Sequence, residues 1–133
     1  MNNIMYKSDI SITPRDLSDL FRASGIKRPY DDLERLQQMM EHANIFITAW
    51  DGIRIVGVAR GLTDFSYCCY LSDLAVDKAY QHQGIGKKLI EQVQQEISKE
   101  VALILLSAPD AIDYYPKIGF DKADNGFIIK RTK

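Results

Sequence analysis

Glycines and basic residues lie close together in one short stretch of the chain, residues 81–89 with the sequence QHQGIGKKL. The stretch follows a predicted strand and opens a predicted helix. The first backbone N–H groups of a helix have no partner inside it and lie at the positive end of its dipole, so they suit a phosphate. Gly84 and Gly86 let the backbone approach such a ligand closely, and two lysines follow them directly. The stretch therefore predicts a loop that binds a phosphorylated ligand.

Two common phosphate-binding motifs do not fit this loop. The P-loop pattern G-x-x-x-x-G-K-S/T, aligned on Gly86, needs a glycine at Gln81 and a hydroxyl at Lys88. The dinucleotide pattern G-x-G-x-x-G needs its third glycine at Leu89, and it belongs after an early strand of a parallel sheet. A general nucleotide-binding domain is therefore the weaker hypothesis, and glycines that merely shape a tight turn remain the structural alternative.

The loop resembles the acyl-CoA loop of the GNAT acetyltransferase superfamily, Q/R-x-x-G-x-G/A. Gln81, Gly84 and Gly86 occupy its three defining positions. The segment LSDLAVD at residues 71–77 precedes the loop at the family's usual distance. The segment AIDYYPKIGF at residues 111–120 resembles the family's ending A-x-x-F-Y-x-x-x-G-F. The resemblance covers about residues 45–120 well and the N-terminal third in outline.

The resemblance implies acetyl-CoA as co-substrate and no metal. In the family, the fourth strand pairs its backbone with the pantetheine arm, and the loop holds the pyrophosphate. The residues that this assigns to cofactor binding are Leu74, Ala75, Val76, Gln81, His82, Gln83, Gly84, Ile85, Gly86, Lys87 and Tyr115. The family often has an asparagine where this chain has Ala108, which removes one candidate contact to the cofactor arm.

Two residues are candidates for acid and base catalysis. Tyr115 matches the family's usual general acid, which serves the leaving CoA sulfur, and a packing role is its alternative. Asp73 is the first candidate for the base, because an amine with a pKa of about 10.4 must lose a proton before it attacks. Strand alternation puts Asp73 on the opposite face from Tyr70 and Ser72 unless a bulge intervenes. A structural role for Asp73 is therefore the equal alternative.

The apolar spacing predicts one α/β (α+β) domain over residues 1–133. Its sheet is mixed, twisted and mostly antiparallel, with flanking helices and a β-α-β unit, and the resemblance implies that this unit holds acyl-CoA. The predicted strands cover residues 10–12, 45–50, 53–60, 67–76, 101–106 and 126–130. The predicted helices cover residues 14–24, 31–42, 85–99 and 111–118. The apolar run at residues 101–106 predicts a buried central strand.

Composition excludes several classes of protein. The net charge is −1, so the electrostatic support for nucleic-acid binding is small. No apolar run approaches the roughly 20 residues that cross a bilayer, and the first residues have no signal pattern. The two cysteines, Cys68 and Cys69, are adjacent and give neither a relaxed disulfide nor a metal-ligand spacing. We therefore expect a cytoplasmic protein with free thiols that binds neither membranes nor nucleic acid.

The sequence thus predicts an N-acetyltransferase that moves acetyl from acetyl-CoA to a primary amine by direct attack in a ternary complex. The alternative is an inactive CoA-binding regulatory or sensor module. The acceptor is a small-molecule or peptide amine, and a homodimer is left open. Acidic residues at Asp31, Asp32 and Asp64 favour, if slightly, a cationic acceptor.

Overall fold

The computed structural model describes residues 3–133. Its strands are β1 (Ile4–Lys7), β2 (Ile45–Asp51), β3 (Arg54–Thr63), β4 (Cys68–Val76) and β5 (Ala102–Ile104). Its α-helices are α1 (Pro14–Ser24), α2 (Leu33–Glu41), α3 (Ile85–Glu96) and α4 (Tyr114–Lys117). Single 3-10 turns lie at Lys78–Tyr80 and Pro109–Ala111. Within the described residues, no helix is long and apolar enough to cross a membrane.

The five strands form one sheet in the order β1-β2-β3-β4-β5. The first four pair antiparallel with one another, and short turns join β2 to β3 and β3 to β4. The last strand, β5, runs parallel to β4. A parallel neighbour requires a crossover connection, which α3 supplies. The predicted mixed, mostly antiparallel sheet with flanking helices and a β-α-β unit is confirmed.

The ends of α1 follow from its sequence. Thr13 and Asp16 form a capping box, in which each side chain accepts a hydrogen bond from the other's backbone N–H at 3.0–3.1 Å. Pro14 occupies the first helical turn, where its missing N–H costs nothing. Gly25 ends the helix with a φ of 80°, in the left-handed region that glycine adopts readily. The helix start and stop predicted here are confirmed.

Helices cover both faces of the sheet and give the protein two clusters of buried side chains. On one face α3 packs against the strands, and this cluster includes Ile47, Ala49, Leu71, Leu89 and Val93. On the other face α1 and α2 pack, and this cluster includes Leu17, Phe21, Leu36, Val58 and Ala75. The middle of β4 is therefore enclosed from both sides.

The first predicted strand is wrong. The sheet begins at Ile4–Lys7, which pairs with β2, whereas residues 10–12 form no strand. Ile12 is instead buried in the cluster beneath α1 and α2, directly before the Thr13 cap. A branched apolar residue that packs under a helix gives the same local signal as a short strand.

The predictions at the C-terminal end also need correction. The run at residues 101–106 is not a buried central strand, since β5 has three residues, lies at the sheet edge and leaves Ile104 half exposed. The last predicted strand, residues 126–130, is not formed, and the side chains of Phe127 and Ile129 are 99% exposed. Apolar content predicts an extended segment, but it does not say whether another strand lies beside it.

Candidate active site

A bulge interrupts β4 at its middle. The pairing with β3 shifts by one residue between Leu71 and Asp73, which leaves Ser72 as an extra residue. A bulge reverses the alternation of side chains, so Leu71 and Leu74 both pack on the α3 face. Asp73 consequently lies on the face away from α3, on the same side as Tyr70. Without the bulge, residues 70 and 73 would lie on opposite faces of the strand. The sequence alone leaves open whether a bulge interrupts β4, and the structure shows that one does.

Most of the outer edge of β4 has no neighbouring strand within residues 3–133, because β5 pairs only with Cys68–Tyr70. The backbone N–H of Asp77 donates to the Val56 carbonyl on β3 at 2.9 Å. Successive N–H groups of a strand point to opposite edges, so those of Leu74 and Val76 point away from β3. They point into the gap between β4 and the chain after β5. The described residues give the Leu74 N–H no hydrogen-bond partner, so it is available to an extended ligand.

The predicted phosphate loop lies at the end of this gap. Residues 81–84 are exposed, and α3 begins directly after them. Gly84 has a φ of 81° and His82 a φ of 65°, a left-handed conformation that costs a non-glycine residue about 1–3 kcal/mol. A Cβ built at Gly84 would have nothing within 4 Å. The N-terminus of α3 therefore faces open space, with the backbone turned as anion-binding loops require.

Side chains before the loop hold it in place. The Gln81 side-chain amide donates to the Val76 carbonyl at 2.9 Å, which ties the loop to the end of β4. The Asp77 carboxylate accepts the Ala79 N–H at 2.9 Å and the Arg54 guanidinium at 2.8 Å. Gln81, the first defining position of the motif, therefore helps to fix the loop, and its contact with the cofactor stays a prediction.

The Tyr114 hydroxyl borders the gap. A Cβ built at Gly86 would lie 3.2 Å from the Tyr114 Oη and 4.0 Å from methyl groups of Leu74 and Val76. Strand β4, the first turn of α3 and Tyr114 therefore meet at one point. Burial raises the pKa of Tyr114, so its hydroxyl keeps its proton and can donate. Tyr114 is not among the residues that the sequence predicts to bind the cofactor.

Tyr115 is more enclosed than its neighbour. Its ring makes edge-to-face contacts with Tyr114 and Phe120, at centroid distances of 5.2 and 5.4 Å, and packs against the α3 cluster. Burial, and secondly the Tyr114 hydroxyl, raises the pKa of Tyr115. A protonated phenol at neutral pH suits a general acid. The acid role of Tyr115 stays a prediction.

Asp73 is fully buried between two arginines. One carboxylate oxygen accepts Arg28 Nε at 2.6 Å, and the other accepts Arg60 Nε at 2.5 Å. The same arginines hold the bulge, since Arg28 Nη2 donates to the Ser72 carbonyl at 2.7 Å and Arg60 Nη2 to the Ser72 hydroxyl at 2.9 Å. A base needs an oxygen that the amine can reach, and both oxygens are engaged. The geometry favours the structural alternative for Asp73, while its predicted catalytic role stays untested.

Neither arginine is predicted as a site residue from the sequence. Arg28 lies on the connection between α1 and α2, 45 residues before Asp73, so no local pattern joins the two. Arg60 faces Asp73 across β3 and β4. Opposite charges on adjacent antiparallel strands are a usable signal, but only once the bulge at Ser72 is known.

Comparison with known proteins agrees with this geometry. The family described as acetyltransferase (GNAT) domain matches residues 19–130. An uncharacterized N-acetyltransferase of Porphyra purpurea, ycf52, is 30% identical over 133 residues, which are 95% of this chain and 75% of that protein.

Solved structures share the same fold. A GNAT family acetyltransferase from Streptococcus pneumoniae superposes with a TM-score of 0.78 at 26% identity, over 98% of this chain and 100% of that one. A GNAT family N-acetyltransferase of Escherichia coli, YhbS, solved in complex with CoA, superposes with a TM-score of 0.72 at 18% identity, over 91% and 70% of the two chains.

Proposed function

The chain belongs to the GNAT acetyltransferase family and is an acyltransferase, and we propose that it acetylates a primary amine by direct attack in a ternary complex with acetyl-CoA. The family supports acetyl transfer in general. The acceptor, the order of steps and the residue roles are our proposal.

One observation carries this proposal: the open edge of β4 leads straight to the N-terminus of α3. The unpartnered N–H of Leu74 and the left-handed turn at Gly84 lie at its two ends. A ligand with an extended amide-containing arm and a pyrophosphate matches both, since the arm can pair like a strand and the phosphate can accept helix N–H groups. Gly84 leaves open space for this approach, and the missing side chain of Gly86 lets α3 lie close to Tyr114 and β4.

The co-substrate supplies a thioester carbonyl, and the chain's own groups then have three tasks. The N–H of Leu74 donates to the carbonyl oxygen as negative charge develops on it. The C–N bond forms as the C–S bond breaks, and Tyr115 passes its proton to the leaving sulfur. The amine's proton leaves through water, because both oxygens of Asp73 are held by arginines. Asp73 acts as a positioning residue that fixes the bulge next to Leu74.

The cysteines have no part in this scheme. Cys69 is buried and burial raises the pKa of its thiol, so it is a poor nucleophile. Cys68 is exposed and its thiol is free. Direct transfer without an acetyl-enzyme is therefore the simpler chemistry.

Calorimetric titration with acetyl-CoA, ATP and NAD tests the cofactor. We expect acetyl-CoA alone to bind. Thiol release at varied concentrations of acetyl-CoA and amine then tests the mechanism: intersecting double-reciprocal lines support a ternary complex, whereas parallel lines indicate an acetyl-enzyme. Binding without thiol release from any amine would favour the inactive CoA-binding module. A cytoplasmic location and a homodimer stay predictions from the sequence.

A further inference from the structure

The acidic residues that favoured a cationic acceptor are all engaged in local structure. Asp31 pairs with Arg22 at 2.8 Å. Asp32 caps α2 by accepting the Arg35 N–H at 3.0 Å. Asp64 accepts three backbone N–H groups of its own turn at 2.8–3.1 Å, and these bonds lower its pKa. Each of the three carboxylates therefore has a local structural role, which weakens their support for a cationic acceptor.

The side chains around the bulge carry the opposite charge. Two guanidinium groups, Arg28 and Arg60, share the single carboxylate of Asp73, so the cluster has one uncompensated positive charge. Arg60 is almost wholly buried, with 8% of its side chain exposed, whereas Arg28 is 28% exposed. The surplus charge therefore reaches solvent at Arg28.

Arg28 still has donors to offer. A guanidinium has five N–H groups. Three of them bind Asp73, the Ser72 carbonyl and the Lys27 carbonyl. One N–H on each terminal nitrogen remains without a partner in the described part of the chain. These bonds also hold the guanidinium rigidly, and a rigid fork of two donors is the geometry that binds a carboxylate well.

This guanidinium lies close to the proposed reacting centre. It binds the carbonyl of Ser72, and a strand rise of about 3.3 Å per residue puts Leu74 about 7 Å further along β4. A depression of about 410 Å³ opens beside it. Its lining includes Lys27 and Arg28, together with Arg22, whose charge is paired with Asp31. Tyr30 and Phe21 supply apolar walls.

We propose that the acceptor is an amine that also carries a carboxylate, as a free amino acid does, and that Arg28 is the residue that selects it. This inference rests on the proposed acetyltransferase function. The carboxylate accepts the two free N–H groups of Arg28, with Lys27 adding positive charge, and the amine of the same molecule points along β4 towards Leu74. Aminoglycosides and polyamines are disfavoured, because they bring positive charge to a positive site.

A matched set of acceptors tests the proposal on the unmodified protein. Thiol release is measured with free amino acids and with the same amino acids as C-terminal amides. We expect kcat/KM to be about tenfold to hundredfold higher for the acids, since each charge-assisted hydrogen bond contributes about 1.5–3 kcal/mol and 1.4 kcal/mol is tenfold. The α-amine of an amino-acid amide loses its proton more readily than that of the free acid. This difference alone would favour the amides, so a preference for the acids cannot result from it. Equal or faster turnover of amides or polyamines would overturn it.

Variants then assign the effect to Arg28. Arg28→Gln should lower the ratio of kcat/KM for the acids to kcat/KM for the amides towards one, and Arg28→Lys should restore part of it. Loosening the bulge alone would slow acids and amides alike and leave that ratio unchanged. Arg35→Gln is the matched control, because the Arg35 side chain is exposed and lies on α2 away from the bulge. An unchanged preference in Arg28→Gln would overturn the assignment.

A phosphate of acetyl-CoA is the other anion that this charge could bind. The Kd for acetyl-CoA, measured by calorimetry, should be the same in Arg28→Gln and in the unmodified protein. A severalfold weaker Kd would assign Arg28 to the co-substrate and overturn the proposal. If acetyl-CoA binds but no acceptor of any charge releases thiol, the acetyltransferase function itself fails, and this inference falls with it.

Discussion

The two sides of β4 are built from different parts of the chain. On the co-substrate side, the site consists of backbone groups: the N–H of Leu74, the left-handed turn at Gly84 and the N-terminus of α3. On the acceptor side it consists of charged side chains, with Arg28 and Arg60 closed on Asp73. On our proposal, the backbone side binds the co-substrate and the side-chain side faces the acceptor.

The two sides should also differ in what a substitution changes: ligand binding on one side and the stability of the fold on the other. A backbone site is sensitive to the conformation of a few residues, and glycine provides that conformation at little cost. A buried ion cluster depends on complete pairing, because a guanidinium left without its carboxylate remains in a poorly solvated place. Substitutions on the acceptor side should therefore act first on stability, and those on the co-substrate side first on binding.

The largest effect should come from Asp73→Ala. It removes the only carboxylate between two arginines, one of which is almost wholly buried. Leaving a buried charge unpaired costs about 3–5 kcal/mol, so we expect the free energy of unfolding to fall by that amount in urea denaturation. Asp73→Asn, which keeps one carbonyl acceptor, is the control and should lose less. A loss below about 1 kcal/mol in the alanine variant would contradict the idea that the cluster holds the bulge.

Tyr115→Phe should lower turnover by about a hundredfold, at the low end of the range for a general acid, while the Kd for acetyl-CoA stays unchanged. Tyr114→Phe is its matched partner, since the two hydroxyls lie on adjacent residues. Because the Tyr114 hydroxyl borders Gly86, its removal should weaken acetyl-CoA binding and leave turnover at saturation nearly unchanged. If Tyr114→Phe instead lowered turnover and Tyr115→Phe weakened acetyl-CoA binding, Tyr114 would be the acid and Tyr115 the binding residue.

The sequence predicted the loop before α3 and the start of that helix well, because that information is local. Gln81, Gly84 and Gly86 lie within six consecutive residues, and the Thr13 cap and Gly25 stop are equally local. It did not predict the contact of Arg28 with Asp73, because the two residues are 45 positions apart in the chain. The contact also depends on a bulge that no local pattern predicts. The edge position of β5 was missed for a related reason: the number of neighbours of a strand is a property of the sheet, not of the strand's own residues.

A smaller effect should distinguish backbone strain from ligand exclusion. Gly84→Val and Gly52→Val both put a branched residue at positive φ, 81° and 61°, with nothing within 4 Å of the new Cβ. Each should cost about 1–3 kcal/mol of stability. Only Gly84→Val should also weaken acetyl-CoA binding, by about tenfold or more, because only Gly84 lies on the proposed phosphate loop. Equal acetyl-CoA affinity in the two variants would remove the loop assignment.

The smallest effect is a shift in the pH profile of turnover. Burial, and secondly Tyr114, raises the pKa of Tyr115 above its ordinary value of 10.0. A general acid works in its protonated form, so its contribution is complete below that pKa and is lost as the pH rises through it. Turnover at saturation, corrected for thioester hydrolysis without enzyme, should therefore show no decline below about pH 10, where deprotonation of the amine can only raise it, and should fall above that pH. In Tyr115→Phe the decline should vanish, whereas in Tyr114→Phe it should persist at slightly lower pH, since the second cause of the raised pKa is gone. A decline that begins well below pH 10 and survives in Tyr115→Phe would show that another group supplies the proton, and that the co-substrate side contributes binding without acid catalysis.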